Sequence, residues 1–254
     1  MPRLFASLLC GLLLVSCADT NDNMVVKGTI EGLKKGTLYF QKVEDTALVT
    51  LDSIEINGNP DFSFSTDIES PEMFYLYLDK ADGNDMNDQL EFFGEPGEIT
   101  IHTTHDFFAH EARVEGSDSH KKLKEYRTMM GQFSGKNLNL IKESLEAQKE
   151  GNQALLDSLN SAIEKNNQRG YLYTVNFVFN NRESFVTPYL VLSELSALNE
   201  KYLDSINNSI APEVAQSKYG KQLAEFVEEI KKTGNTEEAK SVESENISEA
   251  DSAS

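Results

Sequence analysis

The apolar residues of this chain change their spacing once, near Ser117, and that change commits one polypeptide to two kinds of structure. From Met24 to about Gly116 they recur at every second position, and the alternation restarts after each turn signal. In "MVVKGTIE" Val26, Gly28 and Ile30 share a face; Gly32 and "KKG" then lead into "TLYFQKV", where Leu38 and Phe40 alternate. The pattern returns in "LVTLDSIEI", in "DFSFS" after Asn57-Gly58-Asn59-Pro60, and in "MFYLYLD", "QLEFF", "EITIHT" and "HEARVEG". A period of two marks strands with one buried face. Eight short strands are predicted, without a convincing helical stripe among them. The expected fold is therefore α+β: an antiparallel β-sandwich or partly closed barrel over residues 24–116, followed by a helical domain.

Over residues 117–232 the spacing is that of a helix. Ser117 or Ser119 is placed to cap "HKKLKEYRTMMGQF", in which Leu123, Tyr126, Met130 and Phe133 form one stripe. Further stripes follow in "LNLIKESLEAQ", "ALLDSLNSAIEKN", "YLVLSELSAL", "EKYLDSIN" and "YGKQLAEFVEEIKK". "YLYTVNFVF" alone reads equally well as a strand. Four to six helices are expected, with Met129, Met130 and Phe133 as core rather than as a cofactor box. Residues 233–254 hold six acidic side chains, one lysine and no aromatic residue. Such a segment buries too little apolar surface to offset its ordering entropy, so a disordered acidic tail is expected.

The first sixteen residues have the make-up of a bacterial export signal, with Arg3 ahead of an apolar run from Leu4 to Val15. Leu14-Val15-Ser16-Cys17 fits the lipobox pattern, which makes Cys17 the expected lipidation site and residues 17–23 a tether. Acyl chains contribute about 0.8 kcal/mol per buried CH₂, enough for two or three of them to hold a protein on a membrane. The expected location is the cell envelope, at the outer membrane, with neither its periplasmic nor its surface face selected. Cys10 would leave with the signal and Cys17 would carry lipid, so the mature chain would offer no dithiol and no disulfide. The chain carries a net charge of −19, which makes nucleic acid and anionic lipid headgroups poor partners.

Three constellations invite a chemical reading. His102, His105 and His110 lie close together with Asp106 and Glu111 among them, as zinc ligands would. Along a strand, however, positions i and i+3 face opposite ways, and polar residues on a loop are the simpler account. Asp79, Asp82, Asp85 and Asp88 in "DKADGNDMND" are oxygen ligands of the kind calcium takes, yet the spacing fails the EF-hand template and suits a solvated hairpin loop. Asp followed by Ser or Thr and a small or apolar residue recurs five times, resembling an O-glycosylation acceptor of some exported gut-bacterial proteins. Caps and turns explain the internal copies, which leaves Ser252 as the one open to modification. No nucleophile elbow and no phosphate-cradling glycine loop occurs, and no cofactor is expected.

Taken in order, "VVKGTIEGLKKGTLYFQKV", "LVTLDSIEINGNPDFSFS", "LEFFGEPGEITIHT" and "VEGSDSHKKLKEY" resemble the domain of unknown function 4369. That domain stands at the N-terminus of exported lipoproteins that usually end in an AhpC/TSA-type thioredoxin-like domain. The resemblance continues through "VFNNRESFVTPYLVLSEL" and "YLDSINNSIAPEVAQSKYGKQLAEFVEEIKK", the segment that in those relatives precedes the redox domain. This chain has no tryptophan and no Trp-Cys-x-x-Cys motif, so the oxidoreductase role has no matching residues to rest on. The expectation is a lipid-anchored, non-catalytic envelope protein that binds or presents another envelope protein, a peptide or a glycan. A docking or dimerisation partner for a separate thioredoxin-like oxidoreductase is the alternative, and a metal-dependent hydrolase is a third.

Overall fold

The computed structural model describes residues 22–80 and 88–233. Eight strands come first: β1 (Met24–Glu31), β2 (Lys35–Glu44), β3 (Ala47–Asn57), β4 (Asp61–Thr66), β5 (Glu72–Asp79), β6 (Gln89–Gly94), β7 (Gly97–Thr104) and β8 (Arg113–Glu115). They form two four-stranded sheets, ordered β4-β1-β7-β8 and β3-β2-β5-β6, packed as a sandwich rather than closed into a barrel. The expected all-antiparallel pairing holds except at the centre of the first sheet, where β1 and β7 run parallel from Met24↔Gly97 to Glu31↔Thr104. The reason lies in the connections. The turns at Gly32 and at Asn57–Pro60 carry the chain from one sheet to the other instead of closing hairpins, and a strand that returns after several such switches is free to arrive in either direction.

The alternation seen in the sequence is the inward face of this sandwich. Met24, Val26, Ile30, Leu38, Phe40, Ile99 and Ile101 are buried between the sheets. A run of phenylalanines stacks across them, Phe40 lying 5.4 Å from Phe64 and 5.2 Å from Phe74 between ring centroids. Gly28 occupies an inward position at which a Cβ would lie 1.8 Å from the carbonyl oxygen of Ile101, so β1 and β7 approach too closely for any side chain there. Strands β5 and β6 are buried on both faces. Phe74, Leu76 and Phe92 point into the sandwich, whereas Met73 and Phe93 point out of it into the helices. The near-continuous apolar run "MFYLYL" is the sequence trace of that double burial.

Helices follow: α1 (Asp118–Lys149), α2 (Gln153–Asn180), α3 (Val186–Glu194), α4 (Glu200–Asn207), α5 (Pro212–Ala215) and α6 over 218–233. Of the two candidate caps Ser117 serves: its Oγ accepts from the backbone N–H of His120 at 2.9 Å and donates to the carbonyl of Phe93 at 2.7 Å. Replacing Ser117 by alanine removes both bonds and should cost about 1–2 kcal/mol, read as a lowered urea midpoint with an unchanged m-value. The stripes "HKKLKEYRTMMGQF" and "LNLIKESLEAQ" belong to one continuous α1. "YLYTVNFVF" is the last part of α2, where Tyr173 and Phe177 pack on Tyr126 of α1 at 6.0 and 5.2 Å. The helices share a second core with the outer face of β5 and β6, built from Met73, Phe93, Leu123, Tyr126, Val186, Leu190, Leu223 and their neighbours.

Polar contacts close the same seam. The ammonium of Lys218 on α6 bonds the buried carboxylate of Glu72 on β5 and donates to the carbonyl of Val43 at 2.7 Å. The hydroxyl of Tyr219 accepts from the backbone N–H of Met73 at 3.2 Å. Burial pushes the Tyr219 phenol well above its ordinary range, so it stays protonated. Among the described residues no helix is long and apolar enough to cross a membrane.

Candidate functional site

The residues singled out in the sequence are placed apart. His102 stands on β7 with its side chain exposed, between the inward-facing Ile101 and Thr103. His105 follows in the turn, its Nδ1 2.8 Å from Oδ1 of Asp106. His110 lies exposed at the far end of that turn. Among the described residues no three His, Cys, Asp or Glu side chains converge as metal ligands do, so the three histidines are not brought together. Asp79 ends β5 at the surface. Asp88 is buried with Lys80, Oδ1 and Nζ 2.6 Å apart, and its charge is already balanced there. Asp82 and Asp85 lie outside the described residues, as do Cys17, the export signal, most of the tail and Ser252.

A different group does converge. His120, Lys124 and Arg127 are spaced i, i+4, i+7 and share one face of α1. That face borders a groove of about 840 Å³ walled by Tyr75 of β5, Leu90 and Glu91 of β6, His110 and Ala112 of the β7–β8 connection, and Val114 of β8. Arg127 is anchored from both sides, its Nη2 2.7 Å from Oε1 of Glu91 and its guanidinium also bonded to the Tyr189 hydroxyl of α3. Among the described residues no carboxylate pairs with Lys124. The groove thus presents a surplus of positive charge in a strongly acidic chain.

The imidazole of His120 registers that surplus. The backbone N–H of Phe93 donates to its Nδ1 at 3.3 Å, so the proton of the neutral ring sits on Nε2. Burial, reinforced by the charges of Arg127 and Lys124, lowers its pKa from the ordinary 6.5 to about 4. At neutral pH His120 is therefore a neutral hydrogen-bond donor beside two cations, an arrangement that suits a carboxylate and supplies no general base. Burial also raises the Tyr75 phenol, with Tyr189 and Glu91 adding to the effect, so Tyr75 is a second neutral donor.

A larger cleft of about 910 Å³ opens between the first turn of α1 and the α2–α3 connection, but its Lys122 and Arg182 face Glu95, Asp118 and Glu183. Moreover, the Glu95 carboxylate already accepts from the backbone N–H groups of Asp118 and Ser119 at 2.5 and 3.1 Å, filling the anion position at the helix start. The positively biased groove was missed in the sequence, although a signal was present. Lys121, Lys122, Lys124 and Arg127 crowd the early turns of one helix in a strongly acidic chain.

Residues 24–123 match the family model described as Domain of unknown function (DUF4369). Over these residues, about two-fifths of the chain, the sequence is similar to that family. The match covers the whole sandwich and runs into α1 as far as Leu123, so the DUF4369 segment includes His120 and the groove's strand wall, while Lys124 and Arg127 follow immediately after it. The family description carries no catalytic indication. No curated protein and no solved structure matches the chain.

Proposed function

We propose that this protein is a lipid-anchored, non-catalytic binding module of the cell envelope, and that the groove between α1 and the sandwich holds an acidic peptide segment of another envelope component. The observation that carries the binding reading is the pairing of Lys124 and Arg127 with two neutral donors, His120 and Tyr75, over an apolar floor of Leu90, Ala112 and Val114. Cations and donors recognise a carboxylate, and the apolar floor takes the aliphatic stem that carries it. Among the described residues the groove lining holds no serine or cysteine nucleophile, and its half-buried histidine is a neutral donor. The anchor reading rests on Leu14-Val15-Ser16-Cys17 at the end of the apolar leader.

Two measurements test the two parts separately. A fluorescent glutamate-rich peptide should bind the full chain in a salt-sensitive way, its glutamine counterpart should bind at least tenfold more weakly, and Lys124→Glu should lower affinity for the first peptide by about tenfold (about 1.4 kcal/mol). Equal binding of the two peptides would remove the acidic-ligand reading. For the anchor, a fatty-acid analogue fed to cells should label the wild-type chain and leave Cys17→Ala unlabelled. An unlabelled wild-type chain would rule out lipid as the tether.

A further inference from the structure

We propose that the outer half of the α1–α2 hairpin is a self-association surface on which a second copy of this chain docks. Six of the nine large hydrophobic side chains that are exposed among the described residues lie on these two helices, so the exposed apolar surface is concentrated there. On α1, Leu138, Ile141 and Leu145 follow the i, i+3, i+7 spacing of a single stripe, and Leu138 and Leu145 are 69% and 53% exposed. About half or more of each of these side chains is left uncovered by α2.

The outer seam mixes polar and apolar side chains. Beyond Phe133 the two helices bury Ser144, Ala147, Leu159 and Asn166 and half-bury Asn137, Leu140, Leu156 and Ile163, and the Asn166 amide donates to Asn137 Oδ1 at 2.8 Å and to the Phe133 carbonyl at 2.9 Å. Helices in water are stabilised chiefly by burying an apolar face, and this pair leaves the Leu138–Leu145 stripe uncovered. Two hairpins laid together as a four-helix bundle would cover the stripe of each.

Charge selects the occupant. From Ser134 to Leu172 the hairpin has five basic residues, Lys136, Lys142, Lys149, Lys165 and Arg169, against five acidic ones, Glu143, Glu146, Glu150, Asp157 and Glu164. The segment is neutral, which leaves the whole net charge of −19 on the rest of the chain. Two copies meeting on this face escape the like-charge repulsion that their other surfaces would impose. A two-fold contact is isologous, each copy offering the same patch, and a patch with both signs flanking an apolar stripe is suited to its own image. Residues 134–149 span about 24 Å of helix, so the interface falls at the small end of specific contacts and should be reversible, with dissociation in the micromolar range.

The test uses full-length chains with two different tags, extracted separately in mild detergent and then mixed. The wild-type chains should exchange and co-purify, and sedimentation should give a dimer at tens of micromolar. The double variant Leu138→Lys, Leu145→Lys should lose co-purification and sediment as a monomer with an unchanged circular dichroism spectrum. Should the lysines disturb folding, Leu138→Ala with Leu145→Ala should still weaken association at least tenfold. A monomeric wild-type chain at that concentration, or a dimer indifferent to both double variants, overturns the proposal.

Discussion

A Phe93→Ala chain should lose about 3–5 kcal/mol of stability, and the loss should fall on the contact between the sandwich and the helices. Phe92 and Phe93 are consecutive residues of β6 that point to opposite faces of one sheet. Phe92 belongs to the aromatic stack inside the sandwich, 5.8 Å from Phe74. Phe93 is fully buried on the other side, with Tyr189 of α3 and Tyr219 of α6 each 6.0 Å from its ring. Truncating it opens a cavity among helix side chains and leaves the sandwich core intact. In urea, the helical far-ultraviolet signal of Phe93→Ala should therefore be lost at a lower midpoint than the amide hydrogen-exchange protection of the sandwich strands. Phe92→Ala should be destabilised by a similar amount, with both signals moving together. If Phe93→Ala retained wild-type stability, the rest of the shared core and the polar contacts of Lys218 and Tyr219 would hold the helices without it.

That adjacent pair also marks the limit of what alternation reveals. A period of two located all eight strands, because every strand buries at least one face and the pleat repeats that demand at every second residue. It carried no information on strand direction, so the parallel pairing of β1 with β7 was out of reach. The sheet switches at Gly32 and at Asn57–Pro60 look like hairpin turns in sequence, since both need the same glycine and proline chemistry. In the helical half, "HKKLKEYRTMMGQF" and "LNLIKESLEAQ" read as separate stripes of what is one α1. The binding groove was hidden for a different reason. Tyr75, Glu91, Val114 and Lys124 are separated in the chain by up to forty-nine positions, and only the packing of α1 across β6 and β8 gathers them. The histidines that lie close in sequence are dispersed, whereas His120, which stands alone, is the one whose chemistry the fold alters.

That alteration makes stability depend on pH in a defined window. In the folded chain His120 titrates at about 4 against an ordinary 6.5, so between these values the unfolded chain takes up a proton that the folded chain refuses. The folded state therefore has its full contribution above about pH 6.5 and loses it progressively as the pH falls toward 4, by about 3 kcal/mol in all. The titratable groups lining the spaces beside the ring are Asp118, Lys121, Lys124 and Arg127 on its own helix, Glu91 of β6, Glu95 of the β6–β7 connection, Arg113 and Glu115 of β8, and His110. Burial and the two helix cations dominate, and the carboxylates do not reverse them. A His120→Asn chain keeps a neutral polar side chain beside the Phe93 N–H and has no proton to gain. Urea unfolding at pH 7.5 and pH 4.5 should show the wild-type chain losing about 2–3 kcal/mol more than His120→Asn over that interval. Equal losses in the two chains would mean that the ring accepts its proton in the folded state, so that neither its burial nor the neighbouring cations hold it neutral.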